Sequence, residues 1–433
     1  GGLATFLTMS YILFVNPAIL SAAGMPFGAV AVATALVSCV ATATMGLLTN
    51  LPFALAPGLG INAVIAFEVI IGRDLPWQVG MSIIVIEGLL ALILVVAGFR
   101  EAVMDAVPTS LKLAIGVGIG LFITLVGLRE GGIVVNDPAT GIALGDLTNG
   151  PALISLAGIL FAAVLTVRGV RGALPLGVVM ATVLGLVFGV LEGPDGFIDA
   201  PGSGDFSTIG EGLDPSNLEA ALTVALIPVI FALFMTDFFD TIGTSVSLGR
   251  AGGLMDSEGK LPGTRRMLMV DSGAAALGGA AGTSSVTTYV EIGAGVAEGA
   301  RTGLSSLFVA ALFLLSVLFI PVIALVGQGV EVSKDLTIHP AVAPALVMVG
   351  YLMIRMVGEI DWAAPEDALP AFLIIAGIPL TFSIAAGIGL GMIGYVVVLA
   401  ATGRVRRVHP LSWVIALLFV GFFAADWLSA NVF

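Results

Sequence analysis

The feature that most constrains this chain is a rhythm. About twenty apolar residues are followed by a short break of Gly, Pro or charge, and then by about twenty more, from end to end. A stretch of that length crosses the hydrocarbon core as a helix rising about 1.5 Å per residue. Fourteen crossings are predicted, over 3–23, 28–49, 51–70, 79–98, 109–130, 151–168, 173–191, 218–249, 264–280, 283–300, 303–325, 340–358, 368–385 and 387–403; a further apolar stretch, 411–432, follows. Composition agrees, with 58% hydrophobic and 10% charged residues, which excludes a soluble globular domain. The expected fold class is therefore an all-α polytopic membrane protein, with the lipid bilayer as its solvent and no nucleic acid as partner. The chain opens at Gly1, almost inside its first apolar segment, so a short preceding segment is expected.

Charge placement orients these spans. With the N-terminus in the cytoplasm, Arg100, Lys112, Arg168, Arg171, Arg250, Lys260, Arg265, Arg266, Arg301, Arg355, Arg404, Arg406 and Arg407 fall inside, and Arg73, Arg129 and Lys334 fall outside. This is the asymmetry of a cell-membrane protein with a cytoplasmic N-terminus. It also requires 368–403 to cross twice, since a single span would carry Arg404–Arg407 outside. Residues 411–433 either cross once more or lie at the interface. The acidic loop 192–217 falls outside, and no loop is long enough to fold as a separate domain.

Into this apolar background the segment Met235-Thr-Asp-Phe-Phe-Asp-Thr-Ile-Gly-Thr244 sets two carboxylates. Asp237 and Asp240 share a helix face with Thr241 and Thr244. One ionisable group at mid-bilayer costs about 2.5–3.5 kcal/mol on insertion scales, so a pair on one face is expected to line a site. The chain is also interrupted twice at membrane depth. Pro52, Pro57, Gly58 and Gly60 forbid a continuous helix in the third segment, and Gly278-Gly-Ala-Ala-Gly-Thr-Ser-Ser-Val-Thr-Thr-Tyr-Val-Glu291 opens the tenth with small residues. Irregular backbone survives there only where protein buries it or a cavity receives it. These are the third segments of two sets of seven, a pattern that points to a transporter's binding site between inverted halves.

Other residues have competing readings. Asn62 either caps the half-helix after Gly60 or meets substrate. Glu68 and Asp271, near segment ends, are assigned solvated or capping roles. Glu87 is either a proton relay or a packing carboxylate. Phe238, Phe239 and Tyr289 either stack on a ring or pack in the core. Cys39, the one cysteine, forms no internal disulfide, and His339 and His409 sit at segment ends, so no cofactor and no metal site are expected.

Four motifs together resemble a known family. Thr5-Phe-Leu-Thr-Met-Ser-Tyr-Ile…Val-Asn-Pro17, Ala56-Pro-Gly-Leu-Gly-Ile-Asn-Ala63, Asp237-Phe-Phe-Asp-Thr-Ile-Gly-Thr244 and Gly282-Thr-Ser-Ser-Val-Thr-Thr-Tyr-Val-Glu291 are similar to the azaguanine-type purine permeases. These belong to the nucleobase–cation symporters, also called the nucleobase–ascorbate transporter family. The resemblance implies two inverted seven-segment repeats. A core domain would comprise 1–98 and 218–325, a gate domain 109–191 and 340–403, and 411–433 would be an extra segment. It implies proton-coupled uptake of purine bases (guanine, hypoxanthine, xanthine or adenine) by an elevator-like movement of the core, and a homodimer. Asp237 and Glu291 would hold the base, with Asn62, Gly60, Thr288 and Ser284 as further contacts; Asp240 and Thr241 would shape the site or carry the proton, sodium being an open alternative. The chain departs from the family at Ile292, where a serine is usual, and mildly at Gly299-Ala-Arg-Thr-Gly303, Leu59 and Ile61.

The residues suit that chemistry without the resemblance. A purine presents ring N–H donors, and ionised carboxylates only accept. Brought together, Asp237, Asp240 and Glu291 repel, so one is expected to carry the coupling proton. Two other functions compete. An anion transporter of the same architecture would want a basic pocket, which the three carboxylates oppose. An intramembrane aspartyl protease would need its aspartates on separate helices, whereas Asp237 and Asp240 share one.

Overall fold

The structure is a computed structural model. It describes the chain except residues 99–106, 171, 195, 224–225, 257–260, 334–335 and 433, and describes only the backbone of 228, 239, 246 and 425–432. Arg100, Arg171, Lys260, Lys334 and the Phe239 ring therefore lie outside the described residues.

Among the described residues, eight helices are long and apolar enough to cross a membrane: Gly2–Ala22, Phe27–Thr49, Trp77–Val96, Thr109–Glu130, Gly150–Val167, Val229–Ala251, Gly303–Val326 and Ile384–Ala401. Each falls on a span predicted from sequence. The other predicted spans contain shorter or more polar elements, such as Ala173–Val187, Thr264–Ala281, Ala343–Ile354 and Pro365–Thr381. Large apolar side chains lie open on the outer surface, Val167 at 87% and Leu380 at 81% exposure among them. In water such a surface would be a liability; facing acyl chains it is what the solvent requires.

Several boundaries move. The span expected over 218–249 is a short helix, Pro215–Ala221, capped by Asp214, and then a long helix, Ile227–Ala251. Leu226 ends the polar loop and Pro228 stands in the first turn, where a missing N–H costs nothing. Residues 365–401 form two helices that pack on each other, Pro365–Thr381 and Ile384–Ala401. Phe382, in the left-handed region at φ 54°, makes the turn between them. The last apolar stretch is one helix, Pro410–Val432, set against Ile384–Ala401. Two hairpins between spans, Val134–Asp137 with Gly141–Leu144 and Val330–Ser333 with Leu336–Ile338, have no forerunner in the sequence reading.

The two halves of the chain meet at the centre. Residues Leu55–Pro57 are extended, then form a helix from Leu59 to Ala63 that continues to Ile71 in wider, π-type turns. Residues Val286–Thr288 are also extended and precede a short helix, Ile292–Ala297. The two extended pieces pair antiparallel, Leu55 with Thr288, Ala56 with Thr287 and Pro57 with Val286. Outside the ribbon, Gly303 N–H donates to the Asn50 backbone oxygen at 3.0 Å, and Ser306 donates to the Leu51 carbonyl at 2.9 Å. Helix Phe27–Thr49 packs on both Gly303–Ser316 and Thr264–Ala281, closing the core around the ribbon.

Candidate functional site

A two-stranded ribbon inside a membrane has two outer edges with no further strand to pair, and each unpaired backbone group there costs several kcal/mol. Side chains seal both edges. On one side Thr42 accepts from the Leu55 N–H at 2.9 Å and returns its own hydroxyl to the Leu55 carbonyl at 3.0 Å. On the other side Asp271 accepts from the Thr288 hydroxyl at 2.8 Å and from the Thr288 N–H. Thr241 gives Asp271 a third donor at 2.7 Å. Asp271 is thus buried and fully engaged at the ribbon; the solvated or capping role assigned to it does not hold. Its helix, Thr264–Ala281, has nearly the predicted bounds, and packing against the ribbon buries residue 271, two turns in.

The helix Ile227–Ala251 runs beside the ribbon and presents Asp237, Asp240 and Thr241 on one face. Thr241 and Thr287 hydroxyls stand 2.7 Å apart, and the Thr287 hydroxyl also acts on the Asp237 carboxyl beside it. Asp237 is buried, and its Oδ1 has no partner. The carboxyls whose charge acts on Asp237 are Glu87, Asp271 and Asp240. Asp240 is exposed and lies in range of Asp271 and Glu291. The charge of Glu291 thus acts on Asp240, while the sequence reading sets Asp237 opposite Glu291. Glu87, on helix Trp77–Val96, is fully buried; Ser285 donates to it at 3.4 Å and its Oε1 is unpartnered.

Glu291 is half-buried just beyond the ribbon, where Tyr11 donates to its Oε1 at 2.5 Å. The Tyr11 ring lies 6.4 Å from that of Tyr289, whose hydroxyl donates to the Pro57 carbonyl. Both rings are buried by this arrangement, as is Phe238.

On the other arm, Asn62 is buried and donates to Asn16 Oδ1 at 2.6 Å, and its own Oδ1 is unpartnered. Asn16 in turn donates to Thr34 Oγ1 at 2.8 Å and Thr283 Oγ1 at 2.9 Å. The Asn62 side chain thus ties the third segment to the first, and Asn16 ties the first to the tenth; Asn62 makes no helix cap. Gly60 is a packing necessity. A Cβ there would stand 2.6 Å from Ile119 Cγ2, so only glycine lets helix Thr109–Glu130 approach. Ser284 is the one buried non-glycine residue of the ribbon region in the left-handed region, at φ 77°, and its hydroxyl has no partner. Such a residue persists only where its surroundings impose it. Glu68 has a capping role across segments: it accepts from Ser383 at 2.6 Å and from the Ile384 N–H at 3.0 Å, at the start of helix Ile384–Ala401.

All eight expected site residues thus gather at or beside the ribbon. Sequence reasoning missed Tyr11, Asn16 and Thr42, and misassigned Asp271. Tyr11 and Asn16 sat inside a quoted motif, but nothing local says that their partners, Glu291 and Thr283, lie in the other half of the chain.

Comparison with known proteins accords with this geometry. The model described as "Permease family", of the xanthine/uracil permease type, matches residues 1–390. A putative permease of Methanocaldococcus jannaschii is 41% identical, covering 96% of this chain and 92% of its own. The guanine/hypoxanthine permease PbuG of Bacillus subtilis is 39% identical over 98% of this chain and 95% of its own, and the adenine permease AdeP of Escherichia coli 38% identical over 97% and 90%. Among solved structures, the transmembrane domain of the cyanobacterial bicarbonate transporter BicA superposes with a TM-score of 0.59 at 17% identity, covering 88% of this chain and 96% of its own. Murine Slc26a9 superposes with a TM-score of 0.63 at 12% identity, covering 93% and 68%. At such identities the likeness shows the fold alone.

Proposed function

The chain belongs to the nucleobase–ascorbate transporter family of permeases, and on that premise we propose that it takes up purine bases (guanine, hypoxanthine, xanthine or adenine) in symport with protons. The observation that carries this reading is the pair of carboxyls beside the ribbon, Asp240 exposed and Glu291 half-buried, where the two interrupted segments meet. A purine's ring N–H groups would donate to Glu291 and to Asp240 or Asp237. Its carbonyl oxygen and ring nitrogens would receive N–H groups near Gly60 and Ser284, with Asn62 and Thr288 bordering the pocket. Transport would follow from two inverted seven-segment repeats. A core of 1–98 and 218–325 would move against a gate of 109–191 and 340–403, in a homodimer with its N-termini in the cytoplasm.

An anion substrate is the reading that the structural neighbours bring forward. It is disfavoured by the site, because among the described residues no basic side chain is one of the charges acting on Glu87, Asp237, Asp240 or Asp271. The deciding test is labelled purine uptake in cells stripped of their own purine permeases. Uptake is expected, to be collapsed by an uncoupler, and to be lost in Asp237→Asn and Glu291→Gln. Uptake that ignores the uncoupler but follows sodium would remove the proton; normal uptake by both variants would remove these residues from the site.

A further inference from the structure

The row Asp237, Thr287, Thr241, Asp271 contains more oxygen contacts than protons. The Thr287 hydroxyl lies beside the Asp237 carboxyl and acts on it, Thr287 and Thr241 are 2.7 Å apart, and Thr241 reaches Asp271 Oδ2 at 2.7 Å. Those are three links between four side chains, and the two hydroxyls supply one proton each. With both carboxyls ionised, Thr287 donates to Asp237 and Thr241 to Asp271. The contact between the two hydroxyl oxygens then holds no proton, and two lone pairs face each other. One added proton completes the row in either of two ways. It resides on Asp237, and the donors run from Asp237 through Thr287 and Thr241 to Asp271, or it resides on Asp271 and every donor is reversed.

Asp237 keeps a second, unpartnered oxygen, Oδ1, in a setting from which solvent is excluded, and the adjoining Glu87 Oε1 is likewise bare. A buried carboxylate oxygen without a donor is costly when charged and far less so when its carboxyl is neutral. Among the described residues, the charged groups facing the row are Glu87 from helix Trp77–Val96 and Asp240 one turn below Asp237; both are acidic. The cluster therefore calls for a proton and offers it two seats.

We propose that Thr241 and Thr287 form a two-hydroxyl relay through which the coupling proton passes between Asp237 and Asp271. The step balances without any other reactant. Asp237 gives its proton to Thr287, Thr287 gives its own to Thr241, and Thr241 gives its own to Asp271. Three O–H bonds break, three form, and the net change is one proton moved with both hydroxyls restored. Thr287 stands on the ribbon that would meet the base and Thr241 on the helix behind it. A shift of the ribbon relative to that helix lengthens the contact between the two hydroxyls and opens the relay, so occupancy of the site and position of the proton are linked. The relay rests on the symport reading above.

The test uses the full chain in proteoliposomes. Thr287→Val keeps shape and removes the hydroxyl; Thr287→Ser restores it. Two readouts are taken: exchange of labelled hypoxanthine at equal pH on both sides, and accumulation driven by an imposed pH difference. Thr287→Val is expected to keep exchange within about twofold while losing pH-driven accumulation by about tenfold or more, as loss of a positioned proton-transfer group does. Thr287→Ser is expected to recover both. Thr287→Val that accumulates like wild type overturns the relay and leaves symport standing; so does Thr287→Ser that fails to recover, should the valine variant not assemble. A wild-type protein that exchanges hypoxanthine but ignores the pH difference overturns symport, and the relay with it.

Discussion

Tyr11→Phe removes one oxygen and nothing else, and the structure says what that oxygen does. The Tyr11 hydroxyl is buried and donates to Glu291 Oε1 at 2.5 Å. A hydrogen bond to a charged acceptor contributes about 1.5–3 kcal/mol, roughly twice a neutral one. The phenylalanine ring keeps the packing on Tyr289, so the loss falls on the orientation of Glu291 and not on the fold. If Glu291 accepts from the base, most of that energy reappears as weaker capture of substrate. At about 1.4 kcal/mol per decade this is a rise of about 10- to 100-fold in KM or in the Kd of labelled hypoxanthine. Uptake kinetics in permease-deficient cells give KM and Vmax, with a thermal melt of the purified protein as control. The double variant with Glu291→Gln supplies the stricter measure, since two residues acting through one bond are non-additive. The reasoning fails if Tyr11→Phe leaves KM within about twofold of wild type, or if the effects of the two substitutions simply sum.

Further outcomes follow from other contacts. Thr42→Val strips the Leu55 N–H and carbonyl of their partner, two buried groups at about 1–3 kcal/mol each, so the melting temperature falls and uptake falls with it. Thr42→Ser, which keeps the hydroxyl, is expected to restore both. Gly88 faces the Ala276 backbone, and a Cβ would sit 2.8 Å from Ala276 Cα; Gly88→Val therefore prevents helix Trp77–Val96 from seating, read as loss of a monodisperse peak in size-exclusion chromatography. Glu68→Ala deprives Ser383 and the Ile384 N–H of their acceptor without removing any contact of the ribbon. Its expected signature is a changed Vmax with KM near wild type, and a KM shift alone would refute that separation.

Much of the fold could be read before any coordinates. Apolar length located the helices because in a membrane one solvent acts on every exposed side chain. Two interruptions marked where a continuous helix is disfavoured: prolines, which lack an N–H and clash with the preceding turn, in the third segment, and glycines with small hydroxyl residues in the tenth. What could not be read was pairing. Nothing near Asp271 says that it would bind Thr288 and Thr241, so its polarity was referred to solvent. Of the solvated or capping roles open to Glu68 it has the second, but the helix it caps begins near Ser383, towards the opposite end of the chain, which no local rule addresses. The same limit applies to Asp237 and Asp240. Helical periodicity put both on one face, and only the tertiary arrangement of Glu87, Asp271 and Glu291 distinguishes the buried carboxyl from the exposed one.

The ribbon also dictates an order of assembly. Its strands come from distant parts of the chain, and Tyr289 and Pro57 are separated by 232 residues. At about 5–20 residues per second the ribosome needs roughly 12–46 s to make that interval. Through that time Ala54–Pro57 waits in or near the bilayer with only Thr42 as a partner, since Thr287, Ser285 and Tyr289 do not yet exist. A nascent first half therefore carries an exposed polar stretch that lipid cannot satisfy, and it must be held at the interface or shielded by the insertion machinery until the second half arrives. The centre of this protein therefore cannot become stable until much of its second half has been made.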